Sequence, residues 1–540
     1  MTEAQDLEGE FHETHYAAWR RPAPRARALT AFLYGWGPAR VTQGVMLAVA
    51  LPLVLAGAVA PAMLSLASTA SVIAPVAEAR ALFAGAVALA QAPAPSYAAL
   101  LAFADLLAEA PGRIHLIAKS LAAALILAAG VILFPARIAR APAALLVAGL
   151  CAVVAAPFAD ADEFALALLL TLLVALLAPP VRDTTTRAVC EGAALGGGFV
   201  ILWLTNPAMP LAGLAALALA IFHSKANLLR ALAAAFCFCL FAAALDLVAA
   251  GFNASRFSMA AKALAAIEPT GASLGGAAVS AGIVIFCAAV FGGREKWRSW
   301  ASGFAVLVAG LWAAHVAAVD AAAAFFAAAT VAAFSIASPF YDGVFRAHDR
   351  ASVALAASAA ALALFWSGAR AVSAGGQLLF QLRAGQQAPA DIRAELGLIQ
   401  PGGLTLAQWI AEGRLAASET RGLFAMTPAD QSAVLLDGAT RAREIARRGL
   451  AVAILTGPDS ACVIADPRPC RADGPAAAQA AKVVFVPRLD LDAATQAAKE
   501  RAQVILYTDF MLAERTDLWD IWVRRGASLP GESANLSPRG

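Results

Sequence analysis

Charged residues are scarce along this chain, because Asp, Glu, Lys and Arg together make up only 14% of its 540 residues. A typical globular protein in solution carries about 25%, so an ordinary soluble fold is disfavoured. Hydrophobic residues account for 61% of the chain, and the mean hydropathy is +0.71. The net charge of +3 is small and gives no reason to expect a nucleic-acid partner.

Several targeting and catalytic signals are also missing. The first 40 residues are polar and rich in arginine, unlike a cleavable signal peptide, so we expect the first apolar segment to act as an uncleaved anchor. His12 and His15 are three residues apart, whereas a zinc-binding H-E-x-x-H helix needs four. The last 168 residues contain no nucleophile elbow, phosphate-binding loop or paired histidines. No cofactor is indicated, and a divalent metal has no support.

Long apolar segments fill the first 372 residues. A helix needs about 20 apolar residues to cross a hydrocarbon core of about 30 Å. The pattern predicts a mainly α-helical, polytopic membrane protein with a cytoplasmic arm at 1–42 and about eleven spans within 43–372. The predicted spans are 43–64, 114–134, 142–159, 164–180, 191–205, 207–223, 229–250, 276–292, 299–319, 321–339 and 351–372.

Basic residues orient these spans. If each segment crosses once, every basic cluster lies on the same face, which the positive-inside rule makes cytoplasmic. The clusters are Arg20, Arg21, Arg25, Arg27 and Arg40; Arg137 and Arg140; Arg182 and Arg187; Lys225 and Arg230; Arg294, Lys296 and Arg298; and Arg346 and Arg350. The odd number of spans places the C-terminal tail outside. We therefore expect a bacterial inner-membrane protein with a cytoplasmic N-terminus and a periplasmic C-terminal domain.

The tail, residues 373–540, differs in composition from the rest. Strand-like apolar runs at 432–437, 450–457, 482–489 and 502–510 alternate with helical patterns, which predicts a small α/β domain with a partly parallel sheet. Its expected role is structural or substrate-capping. Cys462 and Cys470 are eight residues apart, and in the periplasm we expect them to form a disulfide, since a metal site would need more ligands nearby.

Three external segments combine polar residues with membrane edges. Residues 77–109 have helical apolar spacing and are expected to lie on the membrane surface. PFADADEF (157–164) places Asp160, Asp162 and Glu163 at the start of a span, which indicates either a solvated turn or an electronegative pocket. LTNPAMP (204–210) is a polar, proline-containing break between two spans.

In this order the three segments resemble the C-type glycosyltransferase superfamily, and most closely the branch of the protein O-mannosyltransferases and lipid A aminoarabinose transferases. AEAR (77–80) and PAPSY (93–97) stand in the places of the family's first external motifs. PFADADEF and TNPA (205–208) stand in the places of its second acidic turn and third motif. The resemblance implies periplasmic transfer of a sugar from a polyprenyl-phosphate carrier to an acceptor hydroxyl or phosphate.

The resemblance also implies roles for individual residues. The family's catalytic aspartate falls on Ala77, which cannot take a proton, so the general base would be Glu78, Asp160 or Asp162. Cationic side chains must hold the lipid phosphate. The residues expected to contact substrate are Arg80, Tyr97, Glu163, Asn206 (in the place of the family's lysine), Arg256 and Lys262.

Three functions stay open at this level. The first is a glycosyltransferase, and the second is a catalytically inactive relative that serves as a subunit or scaffold in envelope assembly. The third is a transporter or flippase, for which the glycines of GAALGGGF (192–199) would have to unwind a span, although the same glycines equally allow close packing. The partners expected are membrane lipids, the polyprenyl-phosphate carrier and other envelope-biosynthesis proteins.

Overall fold

The structure, a computed structural model, describes part of the chain. The described ranges are 69–85, 88–92, 94–108, 111–134, 161–177, 184–211, 225–265, 428–465, 468–471, 474–489 and 493–527, together with isolated positions elsewhere. The N-terminal arm and the predicted spans at 276–292, 299–319, 321–339 and 351–372 lie outside these residues. The predicted spans at 43–64, 142–159 and 207–223 lie largely outside them.

The chain divides into two compact units. One comprises Met1–Gly57 and Ala122–Gly368, and the other comprises Ala58–Leu121 and Ala369–Gly540. We call them the helical unit and the tail unit. The division groups the first external segment with the C-terminal tail, whereas the sequence analysis counted that segment with the multi-spanning domain.

Helices make up the described chain before residue 266. They are α1 (Thr69–Phe83), α2 (Pro95–Leu107), α3 (Pro111–Leu133), α4 (Ala161–Leu177), α5 (Thr185–Thr205), α6 (Lys225–Val248) and α7 (Phe252–Ala265), with a 3₁₀ turn at Leu89–Gln91. Among the described residues, two helices are long and apolar enough to cross a membrane, Thr185–Thr205 and Leu228–Val248. They coincide with the predicted spans at 191–205 and 229–250. The full eleven-span topology stays a prediction.

Helix α5 packs closely on both of its described neighbours through glycines. A Cβ added at Gly192 would lie 2.5 Å from the Arg230 carbonyl oxygen of α6, and one at Gly196 would lie 2.6 Å from the Ala234 carbonyl oxygen. Gly198 faces α4, where an added Cβ would lie 2.6 Å from a methyl of Leu172. The helix continues unbroken through GAALGGGF. These glycines therefore serve close packing.

An ion-pair cluster joins α5 to α6 beside this contact. Glu191 accepts hydrogen bonds from Arg187 at 2.7 Å and from Arg230 at 3.0 Å. Arg230 is only 1% exposed, and its ion pair with Glu191 compensates part of the cost of burying its charge. The two helices run parallel, because Gly192 meets Arg230 and Gly196 meets Ala234. The predicted topology requires the same direction, because one span, 207–223, separates the two helices and each span reverses the direction of the chain across the membrane.

The tail forms an α/β domain, as predicted. Its elements are α8 (Pro428–Arg447), β1 (Val452–Ile454), α9 (Ala461–Ile464), α10 (Gly474–Ala480), β2 (Val483–Pro487), α11 (Ala493–Asp509), β3 (Phe510–Arg515) and β4 (Trp519–Arg524). The strand order is β1-β2-β4-β3, with β1 parallel to β2 and the other pairs antiparallel. The sheet is therefore partly parallel.

Two of the strand predictions in the tail are wrong. Residues 432–437 belong to α8, where Val434, Leu435 and Ala439 are buried at helical spacing. Residues 502–509 belong to α11, whose buried residues Ala502 and Leu506 are four apart while Val504 and Tyr507 are exposed. A short apolar run does not distinguish a strand from a half-buried helix. Strands β3 and β4 were missed as well, β3 because most of it is exposed, and β4 although Trp519, Ile521 and Val523 show the alternation typical of a strand.

The sheet separates two hydrophobic cores. On one face Trp519 and Phe485 pack edge to face, with ring centres 5.8 Å apart, against α8. Ile73 of α1 belongs to this same core, so the first external segment docks on the tail domain. The opposite face packs against α10 and α11 through Ala453, Val484 and neighbouring alanines.

Candidate functional site

The predicted site residues fall in both units. Glu78, Arg80 and Tyr97 belong to the tail unit, whereas Asp162, Glu163, Asn206, Arg256 and Lys262 belong to the helical unit. Asp160 lies outside the described residues. The convergence of Glu78 with Asp160 and Asp162 on one cavity therefore stays a prediction.

Position 77, where the resemblance places the family's aspartate, is a packing position. Ala77 is fully buried and packs with Ala81 against the disulfide between Cys462 and Cys470. Glu78 follows it on α1 and is half-buried. The small alanine side chains let the helix approach the disulfide, and a carboxylate at position 77 would be buried there at considerable cost.

The loop that carries the disulfide is held by a buried carboxylate. Asp459 is 1% exposed, and its Oδ1 accepts hydrogen bonds from the backbone N–H groups of Ile454 and Ala461, both at 3.1 Å. Its Oδ2 pairs with Arg468 at 2.6 Å, and the same guanidinium donates to the Val452 carbonyl oxygen. The charge is thus satisfied within the loop, which indicates a structural role.

We expect the disulfide to hold the surface on which α1 docks. Replacing Cys462 and Cys470 together by serine should destabilise the tail unit by about 2–4 kcal/mol and raise hydrogen exchange across Thr69–Phe83. The exposed free Cys190 provides the control, since Cys190→Ser should change neither quantity. Unchanged protection of α1 in the double variant, or free thiols at both positions in the unreduced protein, would contradict this account.

Arg80 is engaged by a carboxylate of the neighbouring helix. Its Nε and Nη2 donate to the two oxygens of Asp105 at 2.8 and 2.9 Å, which joins α1 to α2. These hydrogen bonds raise the pKa of the Arg80 guanidinium above its ordinary value. Tyr97 is 6% exposed on the buried face of α2. Both residues therefore stabilise the α1–α2 pair. The position of neither side chain indicates a contact with substrate.

The helical unit brings two predicted site residues together. Asn206 caps the end of α5, and its Nδ2 donates to Oδ1 of Asp162, in the first turn of α4, at 2.9 Å. The Asn206 Oδ1 accepts from the Ala208 N–H at 3.1 Å, which fixes the orientation of the amide. These residues are 44 positions apart in the sequence. Glu163, beside Asp162, is 5% exposed.

Two further residues at this end were missed by the sequence analysis. Trp203, one turn before Asn206, donates from Nε1 to Oδ1 of Asn253 at 3.2 Å. Asn253 also donates to the Ala242 carbonyl oxygen at 2.8 Å, so α7 is tied to both α5 and α6. The available signal was a tryptophan immediately before the polar break at 204–210.

The two predicted cations of α7 have different environments. Arg256 is fully buried, with its guanidinium carbon 5.3 Å from the centre of the Phe252 ring, and burial lowers its pKa to about 10. It therefore keeps its charge at neutral pH. Lys262 is exposed in the last turn of α7. Of the two, Lys262 is directly accessible to an anion.

The described residues contain no metal site, because no three His, Cys, Asp or Glu side chains among them are close enough together to hold a metal ion. Comparison with known proteins gave no match, whether with family models, curated proteins or solved structures. The class of the protein therefore follows from its fold and composition: it is mainly helical, with a small C-terminal α/β domain and, among the described residues, two helices long and apolar enough to cross a membrane.

Proposed function

We propose that the chain is an inner-membrane glycosyltransferase that uses a polyprenyl-phosphate-linked sugar on the periplasmic face, with Asp162 as its general base. The observation that carries the proposal is the hydrogen bond between Asp162 and Asn206. The resemblance implies a role for both residues, which lie on separate segments 44 positions apart. Among the candidate carboxylates, Asp162 contacts a residue of a second motif.

The chemistry requires an oriented carboxylate and a cation within one site. Asn206 orients the Asp162 carboxylate, which would take the proton of an acceptor hydroxyl brought within about 3 Å. Trp203 and Asn253 fasten α7 at the same end of α5. Helix α7 carries Lys262, which would hold the phosphate of the lipid carrier.

The packing of α1 supports the proposed topology. The core that α1 shares with the tail domain favours a topology with the first external segment and the tail on the same side of a membrane. The predicted topology places ten spans between them, an even number, which has the same consequence. A disulfide in the tail suits the periplasm.

The test is a transfer assay with full-length protein in lipid nanodiscs. Polyprenyl phosphate carrying radiolabelled mannose or aminoarabinose serves as donor, and a cell-envelope fraction serves as acceptor. We expect Asp162→Asn to lower the transfer rate by about 10²–10⁴-fold, the usual contribution of a general base. Glu444→Gln alters an exposed carboxylate of α8 and should leave the rate unchanged. Normal transfer by Asp162→Asn would exclude Asp162 as the base.

The second candidate is a non-catalytic subunit of an envelope-assembly complex. Two residues in the place of the family's first catalytic motif favour it, because both make structural contacts. Ala77 is buried against the disulfide, and Arg80 is paired with Asp105. Absence of transfer by the unmodified protein with either donor would favour this candidate. The continuous helix through GAALGGGF gives the transporter alternative no support.

A further inference from the structure

One part of the tail sheet is left partly uncovered by the helices that the structure describes. Residues of β4 alternate between the two faces, so Trp519, Ile521 and Val523 enter the core with α8 while Asp520 and Trp522 face the other way. On that second face α10 and α11 cover β1 and β2. Among the described residues, the part formed by β4 and β3 is only partly covered beside α11: Phe510 is buried and Trp522 half-buried there, whereas Leu512 is 41% exposed.

A groove of about 490 Å³ occupies this position. Its size is in the range of small-molecule binding sites, which is about 300–1,000 Å³. Its walls come from α11, from the end of β2 and from β3 and β4, and they include Arg488, Tyr507, Arg515, Asp520 and Trp522. We call it the tail groove.

Two aromatic rings form a corner in the tail groove. Tyr507 and Trp522 lie with ring centres 5.4 Å apart and planes at 87°. Tyr507 is 61% exposed, in contrast to the buried residues Ala502 and Leu506 of the same helix. Trp522 is half-buried. Exposed Tyr and Trp rings with polar tips are typical of binding surfaces.

Polar groups surround the aromatic corner in fixed orientations. Arg515 holds Asp520 by two hydrogen bonds, at 2.8 and 3.3 Å. Arg488 donates to the Thr516 carbonyl oxygen at 2.8 Å, which positions it along the wall. The cations Arg488, Lys499 and Arg515 are nearly balanced by Glu500 and Asp520, so the groove has no strong charge of either sign.

This combination suits a carbohydrate. The C–H faces of a sugar ring pack on aromatic rings, and its hydroxyls bond to carboxylate, guanidinium and amide groups held in place. An added peptide strand is less suited, because the edge strand β3 has a bulge between Leu512 and Glu514 and carries exposed charges. We propose that the tail groove binds a neutral oligosaccharide, through stacking on Tyr507 and Trp522. The proposal does not depend on catalysis by Asp162.

The experiment measures binding of maltohexaose and chitohexaose to the full-length protein in nanodiscs by saturation-transfer NMR and titration calorimetry. We expect at least one of them to bind, and we expect Trp522→Ala and Tyr507→Ala each to weaken binding by about tenfold or more, as for aromatic anchors elsewhere. Tyr507→Phe keeps the ring and should retain most of the affinity. Met511→Ala, an exposed apolar residue of β3 outside the groove, is the matched control.

Three outcomes would overturn the proposal. They are failure of both oligosaccharides to bind, equal binding by the wild type and both aromatic-to-alanine variants, and equal weakening by Met511→Ala. Groove-dependent binding of an extended peptide without saccharide binding would assign the groove to a protein partner instead. Thermal unfolding of each variant checks that the tail is still folded.

Discussion

Replacing Gly196 by leucine is expected to separate α5 from α6 and to prevent stable folding of the helical unit. An added Cβ would lie 2.6 Å from the Ala234 carbonyl oxygen and 2.7 Å from the Cys237 Cβ, so the first new atom already collides with backbone. Overpacking of a core costs about 1–3 kcal/mol, occasionally more, and here the neighbouring atoms belong to a helix that cannot yield locally. We expect the upper end of this range or beyond.

The next glycine along the chain is the control. A Cβ added at Gly197 meets no atom of the described residues within 4 Å, although the residue type, the helix and the depth are almost the same. Gly197→Leu should therefore unfold at a temperature close to that of the wild type, while Gly196→Leu should elute largely as aggregate from a sizing column in detergent. Equal behaviour of the two variants would show that α5 and α6 do not pack through Gly196.

Replacing Trp519 by alanine is expected to be the most damaging single change in the tail unit. The ring is fully buried, packs edge to face on Phe485 and rests on Gly438, where an added Cβ would lie 2.4 Å from the indole. Deleting a buried aromatic ring of this kind costs about 3–5 kcal/mol. Because Ile73 joins the same core, we expect α1 to lose protection together with the sheet.

Trp522 is the matched control for Trp519. It lies three residues further along β4 on the opposite face and is half-buried, so Trp522→Ala should destabilise the tail much less. Limited proteolysis and hydrogen exchange of residues 428–527 measure the difference in the full-length protein. Comparable cleavage of both variants would contradict the assignment of the two faces. It would also remove Trp522→Ala as a folded variant for the binding experiment.

Helix packing in the helical unit shows which structural features a local sequence pattern leaves undetermined. The glycines of GAALGGGF allow both an unwound and a tightly packed helix, because glycine lacks the Cβ that would forbid either. Only the position of α6, with the Arg230 and Ala234 carbonyl oxygens beside Gly192 and Gly196, decides between them. Similarly, the sequence indicates that Arg80 is an external cation available to a substrate. The structure shows that it is paired with Asp105, 25 residues away.

The sequence by itself determined the properties that depend on composition and on neighbouring residues. The apolar length of 191–205 and 229–250, the break at Asn206 and the α/β character of the tail all follow from hydrophobic spacing and turn residues. These features need no knowledge of distant parts of the chain. The pairing of Cys462 with Cys470 follows from their close spacing together with the predicted periplasmic side of the tail, and the structure contains this bond.

The tertiary structure alone decided which surfaces meet. The docking of α1 on the tail depends on Ala77 and Ala81, whose small apolar side chains carry no signal of their partner in an alanine-rich chain. The two tryptophans of β4 read alike in sequence, yet one is a core residue and the other lines a groove, because a strand alternates its side chains between faces that only the surrounding helices distinguish. Contacts between residues far apart in the chain, such as Asp162 with Asn206, follow from packing of whole helices, which local spacing does not encode.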